Sequence, residues 1–126
     1  MPKVNTYDID GVIFLGEYDG LYPGPDDIIV TGRSFEETQE TLAMLIRRGI
    51  RNKVYFNPLP FNEKTRESSG QHKARIIQYL KRSGVEHGVH FEDDPVQIEE
   101  IKRVIPDVRI VHVVSDIVPK ENFRHT

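Results

Sequence analysis

Short apolar runs along this chain alternate with segments whose apolar residues recur at helical spacing, and that alternation predicts an α/β domain built on a mostly parallel sheet. Five strands are expected, over residues 4–8, 28–31, 53–56, 89–92 and 108–114. The first helix should open at Ser34, because Ser34-Phe35-Glu36-Glu37 matches a capping box in which hydroxyl and carboxylate each satisfy a backbone amide. Its expected apolar face is Phe35, Leu42, Leu45 and Ile46, and Gly49 should end it. A second helix is expected from about Ser69 to Gly84, burying Ile76, Ile77 and Leu80. Asp94 and Pro95 supply an N-cap and a first-turn proline to a third, which carries Ile98, Ile101 and Ile105.

Two segments break the rhythm, and both are expected to be loops that rim a site. Residues 15–25 hold Gly16, Gly20, Pro23, Gly24 and Pro25 where a crossover helix would normally join the first two strands. Residues 57–68 are polar, with Pro58 and Pro60 as helix breakers and Lys64 and Arg66 as expected exposed cations. Beyond Ser115 no pattern assigns an element.

Length and composition narrow what such a fold can do. The 126 residues suffice for one domain, 1–126, and not for two ordinary ones, so a site must be built from a single core. No apolar run approaches membrane-spanning length, and no signal pattern opens the chain, so a cytoplasmic location and no membrane partner are expected. Absence of cysteine excludes disulfides, thiolate metal sites and a Cys nucleophile. The net charge of −3 gives no footprint for tight non-specific nucleic-acid binding.

Open parallel sheets bind ligands beyond the carboxyl ends of their strands, so the polar residues at those ends carry the functional reading. Asp8 and Asp10 follow the first strand, Thr31-Gly32-Arg33 the second, and Glu92-Asp93-Asp94 the fourth, while Lys73 lies in the helix after the third. Convergence of Asp8, Asp10, Asp93 and Asp94 would demand a hard divalent cation, and oxygen donors of this kind suit Mg²⁺. Asp94 before Pro95 is also explained as a helix cap, which makes Asp93 the firmer ligand. His87 and His90 have ligand-like spacing, but the other histidines are scattered and a histidine metal site is not expected.

Tyr7-Asp8-Ile9-Asp10-Gly11-Val12 resembles the first motif of the haloacid dehalogenase superfamily of phosphotransferases. Thr31 after an apolar strand resembles the second motif, Lys73 ahead of Ile76-Ile77 the third, and Phe91-Glu92-Asp93-Asp94 the fourth. The resemblance covers about residues 3–115 and implies a Rossmann-like sheet flanked by helices. Neither the stretch from Asp10 to Thr31 nor that from Thr31 to Lys73 is long enough for a folded cap domain, so the site should be open, or closed by a second copy of the chain in a homo-oligomer.

That resemblance implies a Mg²⁺-dependent phosphomonoesterase. Asp8 would be the nucleophile that forms an aspartyl-phosphate, and Asp10 the acid and base. Thr31, Gly32 and Lys73 would hold the phosphate, and Asp8, Asp93 and the main-chain carbonyl of Asp10 the metal, with Asp94 acting through water or holding Lys73. Capless members often act on macromolecular ends, and the Thr31-Gly32-Arg33 and Asp93-Asp94 patterns are similar to those of polynucleotide kinase-type 3′-phosphatases, which implies a substrate-binding role for Arg33. The expected partner is thus a phosphorylated small molecule or nucleic-acid end. The alternative for Arg33 is a surface ion pair with Glu36 or Glu37. Two other functional readings stand beside the enzyme: a catalytically degenerate binding module of the same fold, and a receiver-like phospho-acceptor, whose acidic pair would however come first in the chain rather than last.

Overall fold

The computed structural model describes residues 3–115. Eleven short elements run in the order β1 (Val4–Tyr7), β2 (Phe14–Leu15), β3 (Tyr18–Asp19), β4 (Ile28–Ser34), a 3₁₀ turn (Phe35–Glu37), α1 (Thr38–Arg47), β5 (Val54–Asn57), α2 (Arg66–Arg82), β6 (His87–Glu92), α3 (Pro95–Val104) and β7 (Ile110–His112). Five strands form one parallel sheet in the order β5-β4-β1-β6-β7, and β2 pairs with β3 in a separate antiparallel hairpin. The architecture is therefore α/β and Rossmann-like, with β1 at the centre.

Both faces of the sheet are covered, as a parallel sheet requires. Leu45 of α1 packs with Tyr7, Ile9, Val12, Ile13, Phe14, Ile29 and Ile50 on one side. On the other, Ala74 and Ile77 of α2 meet Ile101 of α3 and Ile105 beyond its end. No helix is long and apolar enough to cross a membrane among the described residues.

The capping box at Ser34 forms, with Ser34 Oγ accepting from the Glu36 amide and Glu37 Oε2 accepting from the Ser34 amide at 2.8 Å. Gly49 and Gly84 follow the helices with φ +76° and +92°, the left-handed conformation that ends a helix cheaply only at glycine. The expected face of α1 is rotated, however: Leu45 is buried, whereas Phe35, Leu42 and Ile46 are exposed. Thr41 turns inward instead, its hydroxyl accepting from Arg33 Nη1 at 3.2 Å, so a polar contact fixes the roll of the helix. α2 begins earlier than expected, at Arg66, because its N-cap Thr65 and Ser68 cap each other.

The two rim segments are ordered by specific bonds. Within residues 15–25 the chain completes the β2–β3 hairpin, whose turn holds Gly16 at φ +65°. Arg48 of the α1 C-cap lies 4.4 Å over the Phe14 ring and bonds Asp19, pinning that hairpin to the domain. In residues 57–68, Lys64 and Arg66 are not the free surface cations expected. The Lys64 side chain is 2% exposed and bonds Glu37 and the Gly32 carbonyl, while Arg66 pairs with Asp94. Residues 116–126 lie outside the described residues.

Candidate functional site

Register determines what converges at the carboxyl edge of the sheet. Tyr7 of β1 lies opposite Phe91 of β6, and Thr6 opposite His90. The Tyr7 and Phe91 rings stack at 4.5 Å on the α1 side. Because strand side chains alternate, Thr6 and Asp8, with His90 and Glu92, share the other face, under α2. There Lys73, one fully buried residue on α2, reaches both neighbours: its Nζ is 3.0 Å from Asp8 Oδ1 and 2.8 Å from Glu92 Oε1.

This polar column runs the depth of the sheet. Thr6 Oγ1 lies 2.9 Å from His87 Nε2 and 2.8 Å from His90 Nδ1, and His90 Nε2 is 3.0 Å from Glu92 Oε1. With Glu92 ionised it can only accept, so His90 donates from Nε2, Thr6 donates to His90 Nδ1, and His87 donates from Nε2 to Thr6. Burial, then the Lys73 charge, hold His90 well below the usual imidazole range, in keeping with a neutral ring in that chain.

The carboxylates are in excess. Asp8, Glu92 and Asp93 each bring an oxygen within 4.8 Å of the others, all three buried. Three buried carboxylates thus gather around the Lys73 ammonium. Burial first, and Glu92 second, push Asp8 well above its ordinary value, and burial likewise raises Glu92. Neither Asp8 oxygen, though buried, receives a directed hydrogen bond. The Lys73 contact is thus one of charge, and burial of an ion without such bonds is costly.

Gly11 explains how Asp93 enters the group. It has φ +86°, and a Cβ there would collide with the Asp93 carboxylate, so only glycine lets the two strand ends close on each other. Just before it, the Ile9 carbonyl accepts from the amides of Val12, Ile13 and Phe14, a single helical turn that swings the chain off the end of β1.

Asp10 and Asp94 do not join the acid cluster, which corrects their expected place as side-chain metal ligands. Asp10 is clamped by Arg33, with Nε to Oδ2 and Nη2 to Oδ1 both at 2.8 Å. Asp94 caps α3 through the Val96 amide and is held by Arg66 at 3.0 and 2.5 Å and by Gln97 at 3.1 Å. These contacts hold its carboxyl below the usual value against the effect of burial. Nor does Asp94 hold Lys73; Glu92 does that. Arg33 pairs with neither Glu36 nor Glu37, because Asp10 takes both arms of its fork.

Thr31 and Gly32 lie inside β4 rather than after it, since that strand continues to Ser34, past the level where β1 stops. The Thr31 hydroxyl accepts from the Arg33 amide at 3.0 Å, and the Gly32 carbonyl receives Lys64 at 3.1 Å. Glu92, placed by the sequence at the end of the fourth strand but given no role there, is the residue that completes the cluster. Its signal was its phase, two residues after His90 on an alternating strand, which marks it as inward-facing once the strand is known to be buried on both faces.

Comparison of the chain with protein-family models, with curated proteins and with solved structures finds no match.

Proposed function

We propose that the protein is a Mg²⁺-dependent phosphomonoesterase that works through Asp8. The observation that carries this reading is the buried Asp8–Glu92–Asp93 cluster with one ammonium among its three carboxylates. An all-oxygen donor set of clustered, buried carboxylates suits a hard divalent ion. Glu92 is already occupied by Lys73, His90 and the amides of Asp93 and Asp94, so Asp8 and Asp93 would hold the ion, with the Asp10 main-chain carbonyl. Once bound, such a cation would neutralise phosphate charge and keep Asp8 ionised. The ordered motif resemblance to haloacid dehalogenase-type phosphatases supports the same assignment.

The chain's own residues then divide the work. An Asp8 oxygen attacks phosphorus, the ester P–O bond breaks, and the leaving oxygen takes a proton from Asp10. Water attacks the aspartyl-phosphate next, giving its proton to Asp10 and releasing phosphate with Asp8 restored. Lys73 keeps Asp8 oriented, and Thr31, whose hydroxyl proton is not used in accepting from Arg33, donates to a phosphate oxygen. Asp8 is fully buried and the Asp10 side chain 17% exposed, so substrate reaches the nucleophile by opening the Arg33–Asp10 pair. That opening also frees the acid.

Purified protein with Mg²⁺ should hydrolyse an aryl phosphate, EDTA should stop it, and Asp8→Asn should reduce turnover to background with the circular dichroism spectrum unchanged. Wild-type turnover by Asp8→Asn refutes the mechanism. Phosphate binding without turnover by the wild type would instead identify a binding module.

A further inference from the structure

The edge of the sheet opposite the acid cluster carries a cleft of about 340 Å³, lined by Lys3 ahead of β1, Lys81 in the last turn of α2, His87 and Gly88 at the start of β6, and Asp107 and Arg109 ahead of β7. No ion pair to a carboxylate engages any of the three cations among the described residues. Lys3, Lys81 and Arg109 against Asp107 give the lining a net charge of two positive units in a chain whose total is −3. Neutralising the negative end of a helix accounts for Lys81 at most, since Lys3 and Arg109 stand at strand beginnings.

We propose that this cleft is a second, non-catalytic binding site for a small phosphomonoester dianion carrying hydroxyl groups. Two unpaired units of positive charge match the dianion, and an arginine fork with two lysines suits phosphate oxygens. Asp107 is an acceptor that a bare phosphate would not need and that a ligand hydroxyl would satisfy. His87 adds a second: its Nε2 is taken by Thr6, and burial, His90 and Lys81 together push its pKa down to about 4, so its other ring nitrogen is a neutral acceptor. The volume sits at the small end of ligand pockets, which fits a metabolite-sized compound and not a nucleic-acid strand. This assignment does not depend on the phosphatase reading, because the cleft lies at the other end of the strands.

Amide NMR on the metal-free protein separates the two sites. Inorganic phosphate, and then glycerol phosphate, titrated at constant ionic strength should shift the amides of Gly88, Val108 and Arg109 saturably, with glycerol phosphate binding tighter. Lys81→Gln with Arg109→Gln, both at the surface, should weaken that response by roughly 100-fold or more, given two lost charge-assisted bonds. Asp107→Asn should remove the preference for glycerol phosphate while retaining phosphate binding. Shifts confined to amides near Gly32 and Asp94 would support the active-site reading and overturn this one. So would a response at Gly88 that the double variant leaves intact, or one that chloride reproduces.

Discussion

Replacing Asp93 by asparagine should raise the melting temperature of the metal-free protein and lower that of the Mg²⁺-loaded protein relative to wild type. Carboxylate oxygens within 4.8 Å of one another repel by at least about 3.5 kcal/mol per pair at an effective dielectric of 20, so the three pairs among Asp8, Glu92 and Asp93 cost at least on the order of 10 kcal/mol when all are ionised. On the same scale the Lys73 contacts at 3.0 and 2.8 Å return about 11 kcal/mol together. The ammonium thus at most offsets the repulsion and leaves the desolvation of the buried ions unanswered. Either protons or a cation must supply the rest.

Asparagine at 93 keeps the side-chain shape and one carbonyl acceptor while deleting two of the three repulsions. Because burial and Glu92 hold Asp8 well above the ordinary carboxylate range, the metal-free protein relieves part of the strain by favouring a proton on Asp8. The realised gain should therefore be about 1–3 kcal/mol, or roughly 3–12 °C for a chain of this size. With the cation at a thousand times its dissociation constant, wild type gains about 4.1 kcal/mol and the variant far less, so the order of the two melting temperatures reverses. Differential scanning calorimetry in EDTA and in millimolar MgCl₂ at neutral pH reads both orders. A variant less stable than wild type in EDTA, together with a wild type that Mg²⁺ does not shift, would refute the reasoning.

Mg²⁺ binding should release protons and tighten as pH rises, because the cation displaces the proton favoured on Asp8; calorimetric titration in two buffers of different ionisation heat measures the release, and none would mean that Asp8 was already ionised. By linkage, carboxyls raised in the folded state contribute stability to the metal-free protein at low pH that is lost as pH climbs through their folded values, so the Mg²⁺-induced rise in melting temperature should grow with pH. Arg33→Ala removes the pair that substrate has to open, so kcat/KM should rise, by up to roughly 10-fold, for an aryl phosphate and a 3′-phosphorylated oligonucleotide alike. A loss confined to the oligonucleotide would place Arg33 on the substrate's extension.

Much of this fold was legible because local signals agreed with the tertiary ones. The Ser34 capping box, the glycines at 49 and 84 and the Asp94-Pro95 start of α3 are local chemistry, and each lies where the sequence placed it. The hairpin of Phe14–Leu15 with Tyr18–Asp19 was not legible, because two-residue strands show no alternation and the Gly/Pro content around them reads as loop. The facing of α1 failed for another reason. Hydrophobicity pointed Phe35, Leu42 and Ile46 inward, but the Arg33–Thr41 bond and the packing of Leu45 against β1 and β4 fixed a different roll.

The site shows the same division between what neighbours along the chain dictate and what only strand pairing can. Asp8 and Asp93 were readable as acids leaving adjacent strand ends, and their approach follows from the strand order, which reverses direction between β1 and β6 and so opens a crevice there. Asp10 and Asp94 look equivalent to them in sequence. What separates the pairs is a competing cation, Arg33 for one and Arg66 for the other, each placed by an element whose position no local pattern encodes. Glu92 gained its place by register alone: with Tyr7 opposite Phe91, the next residue on each strand must face α2, where Lys73 waits between them. A one-residue slip of β6 would exchange Glu92 for Phe91 beneath that lysine. The stacked Tyr7 and Phe91 rings on the apolar face therefore specify the charge balance of the acid cluster on the other.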